Sequence, residues 1–141
     1  MASGMQAAAG AIYGVLNSNI TSIDAGWTAS TNVAWPGVDF SPPDDFVAPL
    51  IVWGDTSLST MGSNGSNLTT GELVLQFFCR PGSGYGTLNA YADDAIDLYD
   101  RASPGSGVEF LAASGPRQVS QDDTRWLQVN VSIPFLLEGT S

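Results

Sequence analysis

Residues 126–135 read Trp126-Leu127-Gln128-Val129-Asn130-Val131-Ser132-Ile133-Pro134-Phe135. In an extended chain Leu127, Val129, Val131, Ile133 and Phe135 fall on one side, and Gln128, Asn130 and Ser132 on the other. A period of two with one apolar set marks a strand that buries one face. This closing strand, expected over about Thr124 to Leu137, needs partner strands and a layer to cover its apolar side.

The partners lie upstream. Gly71 to Cys79 alternates Leu73, Leu75, Phe77 and Cys79 against Val74, Gln76, Phe78 and Arg80, so apolar groups stand on both faces and the strand belongs at the centre of a sheet. Phe46 to Trp53 is a further strand, with Leu50 and Val52 set against Ile51 and Trp53, and Pro49 places its early part at an edge or a bulge. Val108 to Ala113 is a short strand, and the segment after it, with Gly115-Pro116, reads as turn.

Two stretches follow the helical period instead. Met5, Ala8, Ala9, Ile12, Val15, Leu16 and Ile20 recur at steps of three and four, which predicts a helix over 5–20. Leu88, Ala92, Ala95, Ile96 and Tyr99 do the same in a helix from about Gly86 to Arg101, ended by Ser103-Pro104-Gly105. The order of elements predicts an α+β fold: one domain over 1–141, with a mostly antiparallel sheet of about four strands and two helices packed on one face. Residues 1–4 are expected to be flexible or a start added ahead of Met5. Residues 21–45 read as mostly irregular, with a short strand at Thr31 to Trp35 and a proline-bearing connector after it. Residues 55–70, rich in Gly, Ser and Asn, read as a long flexible loop.

Composition closes off much chemistry. The chain has no His and no Lys, which removes histidine base and metal chemistry, Schiff-base lysines and the phosphate-loop lysine. Its single cysteine, Cys79, forms no intrachain disulfide and fits a reducing compartment. No apolar run approaches the ~20 residues that cross a bilayer, and the N-terminus shows no basic, apolar secretion signal, so neither membrane nor export is expected. Fourteen acidic residues face four arginines, Arg80, Arg101, Arg117 and Arg125, for a net charge of −10. Such a surface repels nucleic acid, whose binding requires Lys and Arg to displace counterions.

The step from strand to helix at Arg80-Pro81-Gly82-Ser83-Gly84-Tyr85-Gly86 has glycines but neither a dinucleotide fingerprint nor a phosphate-loop Lys, and reads as a tight turn. The pairs Asp44-Asp45, Asp93-Asp94 and Asp122-Asp123 lack a calcium-loop pattern and read as solvated surface. Cys79 reads as core, and Trp27, Trp35, Trp53 and Trp126 as core or subunit-interface anchors, since no basic groove accompanies them. No catalytic residue, metal site or cofactor site is expected.

Three segments in order carry a resemblance. The first runs Val33-Ala34-Trp35-Pro36-Gly37-Val38-Asp39-Phe40-Ser41-Pro42-Pro43 into the Phe46 to Trp53 strand. The second runs Thr70-Gly71-Glu72-Leu73-Val74-Leu75-Gln76-Phe77-Phe78 through the Gly-rich turn into the Ala/Asp-rich helix. The third is the closing strand quoted above. Together they resemble the phage tail terminator (tail completion) family over nearly the whole chain. The abundance of acid and the lack of Lys depart from a typical member, so no charged contact is carried over.

The resemblance implies a structural virion protein of the tail and neck, made in the bacterial host cytoplasm. It implies a homo-oligomeric ring, typically a hexamer, that stacks on the tail tube protein, ends tube polymerisation and presents the surface that joins the head-side connector protein. DNA passes through the channel without specific binding. A ring of six carries six times −10, or −60, formal charges, and an acidic lumen lets phosphate slide past. The stripe Asp93, Asp97 and Asp100, with Asp94 beside it, is expected to face that channel or an adjoining ring surface. The 55–70 segment, through Ser57, Leu58, Met61, Asn64, Asn67 and Leu68, is expected to contact a neighbouring ring. Another neck component, such as a head-closure or connector protein, and a small ligand-binding or enzymatic α+β domain remain the alternatives.

Overall fold

A computed structural model describes residues 3–58, 66–80, 84–100, 102, 107–119 and 126–140. The elements are helix α1 (Ser3–Ser18), a short 3-10 turn (Ile20–Ser22), strands β1 (Asp45–Leu58) and β2 (Ser66–Cys79), helix α2 (Gly84–Asp100), and strands β3 (Val108–Phe110), β4 (Ser114–Val119) and β5 (Leu127–Thr140). The fold is α+β, with one antiparallel sheet ordered β1-β2-β5-β3 and β4 also paired to β5.

β2 is the central strand. It pairs with β1 on one side and with β5 on the other, so that Val47, Phe77 and Val129 form one cross-strand row, Pro49, Leu75 and Val131 the next, and Ile51, Leu73 and Ile133 the third. The strand period sends all of these to the same face, and that face carries the helices. Leu73, Leu75, Phe77, Cys79, Val129 and Val131 are fully buried there, against Ile12 and Leu16 of α1 and Leu88, Ala92 and Ala95 of α2. Each large apolar side chain removed from water this way contributes about 1.5–3 kcal/mol. Both helices lie on this one face.

The fourth row sets Trp53, Gly71 and Phe135 side by side. Gly71 leaves a gap, and the rings of Trp53 and Phe135 meet edge to face across it with centroids 5.4 Å apart. A Cβ on Gly71 would lie 2.5 Å from Phe135 Cζ, so any side chain there forces the Phe135 ring to shift.

The expected loop at 55–70 is corrected at its two ends, and its middle, 59–65, lies outside the described residues. Asp55–Leu58 continues β1 and Ser66–Thr70 opens β2, with Thr56 opposite Thr69, Ser57 opposite Leu68 and Leu58 opposite Asn67 after a register shift past Trp53. The polar composition suggested a loop because a half-buried strand needs apolar alternation. Here β5 supplies backbone partners to all of 66–70 and β1 to 67–69, and backbone pairing makes no demand on side-chain polarity. Met61 and Asn64 lie outside the described residues.

The turn expected around Gly115-Pro116 is also corrected. It is a bulge inside β4, where Ser114 faces Ser132 and Arg117 faces Asn130. Gly115 takes φ +116, and a Cβ there would meet the Asn130 carbonyl oxygen at 2.8 Å. An edge strand tolerates such a bulge. Pro134 explains why β3 and β4 are separate. Its carbonyl accepts from the Leu111 N–H at 2.8 Å, so its nitrogen, which has no hydrogen, faces the same outer strand and interrupts the ladder.

The N-terminal connector takes more part in the core than its irregular sequence suggests. Ile23, Trp27 and Val33 are buried, and Trp27 lies against Phe77 and Tyr91. The expected strand at Thr31 to Trp35 reduces to a single parallel bridge between Val33 and Val47. Helix α1 begins two residues earlier than the spacing predicts and ends at Ser18. Gly71→Ala should lower unfolding free energy by about 1–3 kcal/mol, the usual cost of forcing atoms into a filled core. Urea denaturation of both proteins checks it.

Candidate functional site

The side of the sheet away from the helices has no layer over it among the described residues. Its rows follow from the same register. Phe46, Phe78 and Gln128 stand in one row, Ala48, Gln76, Asn130 and Arg117 in the next, then Leu50, Val74, Ser132 and Ser114, then Val52, Glu72 and Pro134. Leu111, next to Pro134, extends the last row to the sheet edge. Leu50 is 44% exposed, Val52 50% and Leu111 43%. Three of the four large hydrophobic residues most exposed among the described residues thus share this face, Val38 being the fourth. Leu50 and Val52 are neighbours on β1, and Glu72 and Pro134 stand between Val52 and Leu111 in their row.

One end of this face is aromatic. Phe46 stacks on Phe78 with centroids 4.8 Å apart, Trp126 meets Phe46 edge-on, and Phe40 leans on Phe46. Arg80 lies over the Trp126 ring at 4.0 Å from its centroid and is 3.7 Å from the exposed Asp44 carboxylate. The stacking fixes the guanidinium, whereas the solvated ion pair adds little. Polar residues of β2, β5 and β4 cross the middle of the face, with Gln76, Asn130 and Arg117 in one row, and on β5 Gln128 Nε2 donates to Asn130 Oδ1 at 2.8 Å.

The outer edge of β1 is blunted. Val47 N–H donates to the Asn32 carbonyl, and its own carbonyl accepts from Ala34 N–H. Odd-numbered residues of β1 therefore turn their backbone groups outward. Pro49 has no donor to offer there, and the Ile51 N–H is taken by the Tyr13 hydroxyl of α1. A blunted edge disfavours strand addition over this stretch.

The acidic groups expected to act lie elsewhere. Asp93, Asp94, Asp97 and Asp100 are all exposed on α2, on the side turned away from the sheet. The residues Ser57, Leu58, Asn67 and Leu68 lie in the paired arm of β1 and β2. The α2 carboxylates are on the opposite side of the sheet from the open face, whereas Leu68, an even-numbered residue of β2, is on the open-face side of the arm.

A second polar constellation was invisible in the sequence. The Tyr91 hydroxyl of α2 donates to the Asp45 carboxylate at the start of β1, and lies 3.3 Å from Asp24 Oδ2 in the connector. Asp24 Oδ1 also accepts from Gly26 N–H. The Tyr91 pKa is pushed well above its ordinary value, first by burial and then by the two carboxylates. The phenol stays neutral and works as a fastening between three segments. Cys79 is similar: burial, and then the Asp45 charge, push its thiol up, so it stays protonated against the Gly84 carbonyl and is a poor nucleophile.

Among the described residues, no group of three or more Cys, Asp or Glu converges to hold a metal. None of their helices is long and apolar enough to cross a membrane. A shallow open depression lies where the β1–β2 register shifts, lined by Val52, Trp53, Gly54, Thr70, Gly71 and Glu72.

No family model matches the chain, and no curated protein matches it. Twelve solved chains do match in structure. One of them, known by a serial designation alone, superposes with a TM-score of 0.58 at 14% identity, over 93% of this chain and 94% of its own. At that identity the likeness establishes the fold: this architecture recurs in a chain of nearly the same extent.

The Tyr91 fastening makes a signed prediction. Unfolded tyrosine ionises at about pH 10, while folded Tyr91 holds its proton to higher pH. Its contribution is complete below about pH 10 and is lost as pH rises further. Tyr91→Phe should cost about 1–3 kcal/mol near neutrality, where a hydrogen bond to a carboxylate disappears. It should also flatten the fall in stability above pH 10, as read from denaturation midpoints across that range.

Proposed function

We propose that this chain is a structural subunit of a phage tail, a tail terminator that caps the tail tube as a ring, ends its polymerisation and forms the surface that joins the head. The observation that carries the reading is the open sheet face. A small fold that covers one side of its sheet with helices and leaves Leu50, Val52 and Leu111 exposed on the other is built to be completed by neighbours. The resemblance over the three segments supplies the kind of neighbour: copies of itself, the tail tube protein below and the head-side connector above.

The charge agrees with a DNA conduit. A ring of such chains presents far more carboxylate than arginine, and DNA moves through without binding sites that hold it. In this reading the Asp93, Asp97 and Asp100 stripe serves the channel wall or an adjoining ring surface. The paired arm through Ser57, Leu58, Asn67 and Leu68 reaches the next ring. The chain works by stacking, without a catalytic residue or cofactor.

Electron microscopy of particles assembled with and without the chain tests this. Its removal should give over-long tubes without heads, and the chain should be present in purified virions. Tubes of normal length beside leaking heads would assign it to another neck position. Absence from virions, or turnover of a substrate, would overturn the proposal.

A further inference from the structure

The open sheet face is graded along its strands. Arg80 over Trp126 and Arg117 beside Asn130 occupy one half. Leu50, Val74, Val52 and Leu111 form a band across the middle. Glu72 stands within that band, between Val52 and Pro134, and Glu109, opposite Leu136, lies beyond it.

The opposite side of the molecule has matching parts. Helix α1 contains no charged residue from Ser3 to Ser18, although Gln6, Ala7, Gly10 and Asn17 on its outer side are exposed. Surface helices ordinarily carry charge on that side, and this one does not in a chain of net charge −10. Beside it, tied by the Tyr99 hydroxyl that donates to the Ile12 carbonyl at 3.1 Å, α2 turns its carboxylates outward.

We propose that the open sheet face docks the helical layer of a second copy of this chain. The uncharged outer side of α1 covers the band of Leu50, Val52 and Leu111, and the acidic side of α2 lies toward Arg80 and Arg117. Copies of a strongly anionic chain repel one another almost everywhere, and they approach best where carboxylates of one meet arginines of the next. The two surfaces lie on opposite sides of the molecule, so the contact is head to tail, the kind that closes into a ring or runs on as a filament. The small residues of α1 let a sheet come close: an added Cβ at Gly10 or Gly14 meets nothing within 4 Å in the isolated chain. This inference rests on the ring-subunit reading, names its subunit contact, and gives the acidic stripe the ring-surface role.

Two variants each spoil one face. Gly10→Gln with Gly14→Gln fills the outer side of α1, and because glutamine favours helix over glycine it should leave the melting temperature unchanged or raised. Leu50→Gln with Val52→Gln spoils the sheet face at exposed positions. In sedimentation velocity the wild-type chain should form species larger than a dimer. Each variant alone should associate at least tenfold more weakly, and the two mixed should form a one-to-one dimer that grows no further, since one intact contact remains. A wild-type chain that stays monomeric at millimolar concentration overturns the docking. So does undiminished association of either variant. A mixture that stays monomeric overturns it as well and points to sheet-on-sheet pairing. The outcomes separate from the functional reading: a monomer still incorporated into virions ends the docking alone, and head-to-tail oligomers of a chain absent from virions end the tail role alone.

Discussion

β2 is paired with β5 from Ser66 to Cys79 and with β1 over Asn67–Thr69 and Gly71–Cys79, and the rest of the sheet and the helices are arranged around that constraint. A strand held by two ladders cannot rotate, and a slip of one residue would turn Leu73, Leu75 and Phe77 out to solvent. Its odd-numbered side chains therefore fix which face the helices must cover. Its even-numbered side chains, Val74 and Phe78 with Leu50 and Val52 beside them, fix what is left uncovered. The same alternation that builds the core builds the contact surface.

The polar groups inside the molecule act as fastenings of this arrangement. Tyr99 ties α2 to the backbone of α1, and burial pushes its pKa up, so it too remains a neutral donor. Tyr91 gathers the connector, β1 and α2 through two carboxylates. Tyr13 closes the β1 edge at Ile51. Two of these tyrosines, with apolar bodies and one polar tip, thus satisfy backbone groups, and Tyr91 satisfies carboxylates, at low cost.

Much of this was legible in the sequence, for identifiable reasons. The α+β class, the central place of Gly71 to Cys79 and the burial of Val129, Val131, Ile133 and Phe135 follow from side-chain period alone. The open face was half legible: Leu50, Val52 and Val74 make β1 and β2 apolar on both sides, and only pairing told which side the helices took. The strand ends at 55–58 and 66–70 were missed because their Ser, Thr and Asn residues lack the apolar alternation that marks a strand, and their pairing is carried by the backbone. β4 was missed because Gly115-Pro116 writes a bulge and a turn in the same letters. The Tyr91 fastening joins residues 46 and 67 positions apart, and no local pattern encodes it.

The central claim is that the uncovered sheet face is covered when the protein is at work. Thiol labelling reads that directly, because Cys79 is buried and a single Val52→Cys gives one accessible sulfur on the face. Maleimide should modify it rapidly in the free chain and at least tenfold more slowly in the assembled particle. Equal rates in the two states would contradict the account.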